Sequence, residues 1–305
     1  MVGVLGWIGR QGRWCLIAGL CLGLTAPELA EFLRPWIGTL VVLLLLVTGI
    51  RVGARQAFGI RSDLAPTLLR VGFFQTVLPL VAIAGLGWAG LLQFPLALAV
   101  SLMLAAPSVT GAPNFAIMMG QDPAPGMRLL VTGTALFPLT ALPVFLILDP
   151  TGGGVMSGIS LSLGLLGAIL ASVGVGFGIR HLLPGLGQPR AQSALDGCAA
   201  LLLGIVVVGL MSAIGPLLRA DPTGLLLWLL AALAVNFGLV AATLRFSRLV
   251  QLTLPVPTAI YAGNRNIALF LIVLPEEAAA PLMVFVGCYQ IPMYLTPILL
   301  SRLKV

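Results

Sequence analysis

Pro257-Thr258-Ala259-Ile260-Tyr261-Ala262-Gly263-Asn264-Arg265-Asn266-Ile267-Ala268-Leu269-Phe270 sets a glycine, two asparagines and an arginine in the middle of a long apolar segment. Every unsatisfied polar group costs free energy in such a place, so the segment needs a physical reason to exist. It reads as a broken transmembrane helix, and the alternative is a polar kink packed against neighbouring helices.

The rest of the chain agrees with a membrane setting. Of its 305 residues 59% are hydrophobic and 8% charged, with a mean hydropathy of +1.12, against about 25% charged residues in an ordinary soluble domain. The net charge of +7 is explained first by basic cytoplasmic loops. Cys15, Cys21, Cys198 and Cys288 lie in apolar spans and form no CxxC pair, so neither a disulfide framework nor a metal site is indicated. No GxSxG, HExxH or pair of mid-membrane aspartates is present, which argues against an intramembrane enzyme. No catalytic residue is assigned, and nucleic-acid binding has no support.

Apolar runs of about 20 residues bounded by Gly, Pro or charge clusters predict ten crossings. They fall near residues 14 to 33, 36 to 53, 66 to 88, 95 to 119, 125 to 148, 155 to 180, 193 to 218, 223 to 245, 252 to 274 and 279 to 301. The first is the weakest, since Arg10 and Arg13 before it imitate a signal peptide. With a cytoplasmic N-terminus, 13 of the 16 basic residues fall inside; Arg34 and Arg219 fall outside, and Arg265 stays in the membrane. That bias puts both termini on the cytoplasmic side of a cytoplasmic or plasma membrane.

The chain also repeats itself. Gly111-Ala112-Pro113-Asn114-Phe115-Ala116-Ile117 in the fourth span matches Gly263 to Leu269 at the glycine, the last asparagine and the alanine, 152 residues apart. Pro138 and Pro143 recur as Pro292 and Pro297 with the same spacing of five. Residues 1–150 and 151–305 are therefore read as two five-helix repeats within one integrated transmembrane domain. An odd number of crossings per repeat makes the second upside down relative to the first. The predicted fold is an all-α membrane protein of ten transmembrane helices, with helices 4 and 9 broken and crossing. Matched Gly/Pro-interrupted segments point to a transporter's binding site. Here they are Ala106 to Asn114, with prolines at 107 and 113, and the opening stretch.

These residues resemble the bile acid:sodium symporter family, whose ten-helix transporters unwind and cross their fourth and ninth helices. Its Ser-Asn at the first crossover is similar to Pro113-Asn114. A glutamine followed four residues later by proline on the third helix is matched by Gln75 and Pro79. The signature on its eighth helix is approached by Asn236 and Gly238. The ninth-helix motif of the family, Glu-x-Gly-x-Gln-Asn, reads here Tyr261-Ala262-Gly263-Asn264-Arg265-Asn266. The resemblance implies sodium ligation at those positions. A guanidinium, which cannot be deprotonated, would repel sodium there, so two-sodium coupling is not carried over. Thr132 and Thr134 are the nearest matches to the family's hydroxyl ligands on the fifth helix.

Arg265 argues a ligand of its own. A mid-membrane arginine costs roughly 2.5 to 3.5 kcal/mol unless paired, and the nine acidic residues all fall near span ends. Near the start of a second half-helix it would also meet a positive macrodipole end. Two half-helix N-termini plus a guanidinium point to an anion, a carboxylate or sulfonate of the substrate. The alternatives are that Arg265 snorkels into a watery cavity or pairs with Asp122 or Asp196.

The expected function is secondary active transport of a small or amphipathic organic anion by alternating access, with sodium as a possible but doubtful coupling ion and the lipid bilayer as the other partner. Alternatives are an auxin-efflux-like or other carrier of the same fold, a sodium-coupled symporter with a non-standard site, and a passive channel. Candidate substrate- and ion-binding residues are Gln75, Thr110, Asn114, Thr132, Asn236, Tyr261, Asn264, Arg265, Asn266 and Gln290.

Overall fold

In the computed structural model, which describes residues 2–58, 64–118, 121–251 and 255–302, 88% of the described residues are helical and none lies in a strand. The helices are α1 (Val2–Arg10), α2 (Gly12–Thr25), α3 (Pro27–Leu33), α4 (Ile37–Phe58), α5 (Leu64–Gly72), α6 (Leu78–Trp88), α7 (Pro95–Ala105), α8 (Ala112–Met118), α9 (Ala124–Leu148), α10 (Gly154–Leu182), α11 (Pro189–Ala220), α12 (Pro222–Leu249), α13 (Pro255–Gly263) and α14 (Glu276–Arg302). A π-helical turn, Phe73–Val77, joins α5 to α6, and 3-10 turns cover Arg34–Trp36, Pro184–Gly187 and Ile267–Ile272.

Among the described residues, seven stretches are long and apolar enough to cross a membrane: Pro27–Ala54, Leu64–Trp88, Ala124–Leu148, Gly154–Leu182, Pro189–Ala220, Pro222–Leu249 and Glu276–Leu300. The chain is an integral membrane protein. The remaining three expected spans are not continuous long helices. The first stops at Thr25, because Ala26 precedes Pro27 and takes a non-helical φ of −120° and ψ of 73°; proline disfavours the helical region for the residue before it. The apolar run then restarts at Pro27 and continues into α4. The fourth and ninth spans are interrupted at Ala106 and after Gly263.

Two compact units divide the chain, each drawn from both of its halves. One holds Met1–Ile60, Gly164–Pro222 and Leu271–Val273. Its centre is α11, against which α1 to α4 pack. Small residues line that packing, since a Cβ on Gly19 would lie 2.5 Å from the Gly204 carbonyl oxygen and one on Gly197 only 2.0 Å from that of Leu5. Between apolar helices in lipid, such close backbone approach supplies the van der Waals attraction that hydrophobic burial does not. Gly197→Ala is expected to destabilise the protein by about 1 to 3 kcal/mol, as overpacking against backbone does. Gly178→Ala, where a Cβ meets nothing within 4 Å, should be neutral or stabilising by up to about 1 kcal/mol. Paired thermal unfolding curves in detergent check the difference. The same unit contains the Arg51–Asp196 ion pair at 2.8 Å, so Asp196 is already engaged.

The other unit holds Arg61–Leu163, Thr223–Phe270 and Leu274–Val305. It contains both interrupted spans, and Phe137 and Phe145 pack edge-on against Phe270 at 5.0 and 5.5 Å.

Candidate functional site

The two interruptions meet. Helix α7 ends because Ala106 precedes Pro107 and is extended, at φ −64° and ψ 150°. Helix α13 ends at Gly263. The segments that follow pair as a short antiparallel bridge between Ser108 and Arg265. Val109 N donates to Asn264 O at 2.9 Å, and Asn266 N donates to Pro107 O at 2.8 Å. Backbone groups freed by the two broken helices thus satisfy each other, as a buried chain requires.

Arg265 lies in this bridge and is 1% exposed. Its Nε donates to Ala262 O at 2.9 Å, Nη1 to Ala106 O at 2.9 Å and Nη2 to Phe74 O at 3.3 Å. Each acceptor is free for an identifiable reason. Ala106 and Ala262 lie at the ends of α7 and α13, where carbonyls have no helical partner. Phe74 lies in the π turn, where Leu78 N bonds Phe73 O instead. The π partner of Phe74 O would be the nitrogen of Pro79, which has no hydrogen. Rings complete the enclosure, with the guanidinium carbon 4.9 Å from the Tyr261 ring centroid and 5.5 Å from that of Phe74.

This geometry corrects the expected electrostatics. The guanidinium turns back to the C-terminal ends of two half-helices, the negative poles of their dipoles, rather than facing a positive N-terminal end. Nor does it snorkel or pair with Asp122 or Asp196: Asp122 Oδ1 accepts from Ala124 N at 2.9 Å, and Asp196 holds Arg51. Its surroundings are those of a cation in a cage of main-chain oxygens.

Two amide clusters flank the bridge, and each ties a helix to a helix. Thr140 Oγ1 on α9 donates to Gln75 Oε1 at 2.9 Å, and Gln75 Nε2 donates to Gly133 O at 3.3 Å. Thr296 Oγ1 on α14 donates to Asn236 Oδ1 at 2.8 Å, and Asn236 Nδ2 donates to Gly263 O. The Tyr289 hydroxyl also donates to Gly263 O and accepts from Arg265 N at 3.2 Å. Asn264 Nδ2 reaches back to Ile260 O at 3.1 Å, capping α13 with its own side chain.

Gln75, Asn236, Tyr261, Asn264 and Arg265 are therefore buried together in one unit. Thr110 and Asn266 are half-buried in the paired segments, and Thr132 is half-buried on α9. Gln290 is half-buried on α14, where its Nε2 bonds Val286 O at 3.3 Å and its Oε1 has no partner. The side chain of Asn114 lies outside the described residues. On α9 it is Thr140, not Thr132, that bonds Gln75.

Thr140, Tyr289 and Thr296 were not singled out by the sequence. One signal existed: the chain has three tyrosines, and all lie between 261 and 294, within expected spans rather than in the interfacial belts where tyrosine usually collects. No protein-family model matches this chain, and comparison with curated proteins returns no significant match.

Proposed function

We propose that this protein is a secondary active transporter of a small or amphipathic organic anion, operating by alternating access and independently of a sodium gradient. Ten crossings in two inverted five-helix repeats would carry it, and the substrate would bind at the paired unwound segments. Thr110 and Asn266 are partly open polar side chains in those segments, and Gln290 is partly open on α14. The observation that carries the reading is the buried guanidinium of Arg265, held by three carbonyl oxygens at the junction of two broken helices. Unpaired backbone is tolerated at membrane depth only where it is buried or lines a cavity, and broken helices in matched positions of two halves are the arrangement transporters use.

Two further features support the repeat. Amide and threonine pair in both halves, as Gln75 with Thr140 and Asn236 with Thr296, each threonine lying shortly after the first proline of a five-spaced pair. Both compact units also draw on both halves of the chain.

Arg265 stands in for a metal cation: its donors occupy carbonyl oxygens of the kind sodium prefers, and it cannot dissociate. The guanidinium is too enclosed for direct ligation, so it attracts the substrate through its field. An anion about 8 Å away would gain about 2 kcal/mol at an effective dielectric of about 20. The basic residues assigned to inside segments favour both termini on the cytoplasmic side. Purified protein in liposomes should take up labelled pyruvate, nicotinate or taurocholate saturably, at the same rate with sodium or with choline outside. Uptake that collapses when sodium is withdrawn would refute the substitution of Arg265 for the ion.

A further inference from the structure

We propose that this protein is an obligatory anion exchanger, in which the carrier crosses between its two access states readily only when an anion compensates the Arg265 charge. The inference rests on the carrier reading above and adds the transport mode. Arg265 is permanently charged, 1% exposed, and bonded only to neutral partners: three carbonyl oxygens and two aromatic faces. The described acidic side chains of its unit are engaged or placed elsewhere. Asp122 and Asp149 accept from backbone N–H groups at the turns before α9 and α10. Glu276 and Glu277 are exposed in the first turn of α14. Among the described residues no carboxylate bonds the guanidinium, which leaves the counter-charge to the substrate.

The transport cycle then becomes asymmetric. A carrier driven by a dissociable cation releases that cation together with its substrate and returns uncharged at that position. Here the cation is covalent and stays. With a monoanion bound, the centre is neutral during the change of access. Empty, it carries an uncompensated positive charge through a low-dielectric region, which is strongly disfavoured. One-for-one exchange avoids the empty step altogether and moves no net charge. Net uptake requires the empty step and carries one negative charge inward per cycle, so an inside-positive potential should speed it.

The test uses the intact protein in liposomes and the labelled panel of pyruvate, nicotinate and taurocholate, with three arms. Vesicles preloaded with the same unlabelled anion should take up label at least about tenfold faster than empty vesicles, a ratio that corresponds to one decade of barrier difference for the uncompensated charge. A potassium diffusion potential set with valinomycin should leave exchange unchanged while altering the slow net uptake by up to about 50-fold per 100 mV. Arg265→Gln, which keeps amide donors for the carbonyls but removes the charge, should bring the ratio of preloaded to empty uptake towards one. Equal uptake by preloaded and empty vesicles of the unaltered protein would overturn exchange while leaving the carrier reading intact. Absence of saturable uptake of any of the three anions in every arm would overturn both. A ratio left unchanged in a folded Arg265→Gln protein would remove Arg265 as the cause.

Discussion

Arg265→Leu is expected to cost about 3 to 5 kcal/mol of stability, the cost of three buried carbonyls left without a donor less the desolvation relieved by removing the charge, and to abolish saturable transport. The loss comes from the acceptors left behind. Ala106 O, Ala262 O and Phe74 O each lose their donor, at about 1 to 3 kcal/mol for each buried group left unsatisfied. Removing the charge gives some of this back, because an isolated buried guanidinium pays several kcal/mol in desolvation. The balance remains a loss, since leucine supplies no donor and Pro79 prevents the π turn from supplying one. Arg265→Gln, with two amide hydrogens and no charge, should recover roughly half of the stability, each restored hydrogen bond being worth about 1 kcal/mol. Thermal unfolding in detergent resolves these steps, and a leucine variant that melts with the unaltered protein would show that the three carbonyls find partners without Arg265.

Asn236→Leu is expected to cost about 2 to 4 kcal/mol, since one side chain serves both the broken ninth span and α14 in a fully buried place. Part of the damage is cushioned. Gly263 O keeps the Tyr289 hydroxyl, and Thr296 Oγ1 keeps Pro292 O at 2.9 Å. Thr296→Val should therefore cost only about 1 kcal/mol, the worth of a single net hydrogen bond. The double variant should be less destabilised than the sum of the two by about 0.5 to 1 kcal/mol, because directly bonded residues couple. Strict additivity in that cycle would mean that the Asn236–Thr296 hydrogen bond contributes nothing.

Much of the local design was legible residue by residue. Proline marked one break correctly, since Ala106 before Pro107 leaves the helical region, whereas the expected first span ran through Ala26 and Pro27, where the helix in fact stops for the same reason. The asparagines and Arg265 announced themselves because polar groups in an apolar run need partners. Their partners were less visible. The π turn at Phe73–Val77 inserts an extra residue within a helical turn without interrupting the apolar pattern, so Phe74 O as an acceptor had no sequence mark beyond Pro79. Thr140 and Thr296 look like any hydroxyl in a membrane helix, where threonine commonly bonds its own backbone, as both also do here.

Arg265 shows where sequence and structure divide. The sequence by itself determined that the chain is an apolar membrane protein, that Gly, Pro and Asn interrupt two matched stretches, and that one arginine lies among them without a neighbouring acid. It did so because helix breaking and desolvation are local properties, set by which residue occupies which position. Only the tertiary structure decided which way the guanidinium turns. Its acceptors, Phe74, Ala106 and Ala262, come from three separate segments, two of them more than 150 residues away in sequence. The sign of the helix dipole it meets depends on that folded geometry rather than on its neighbours in the chain.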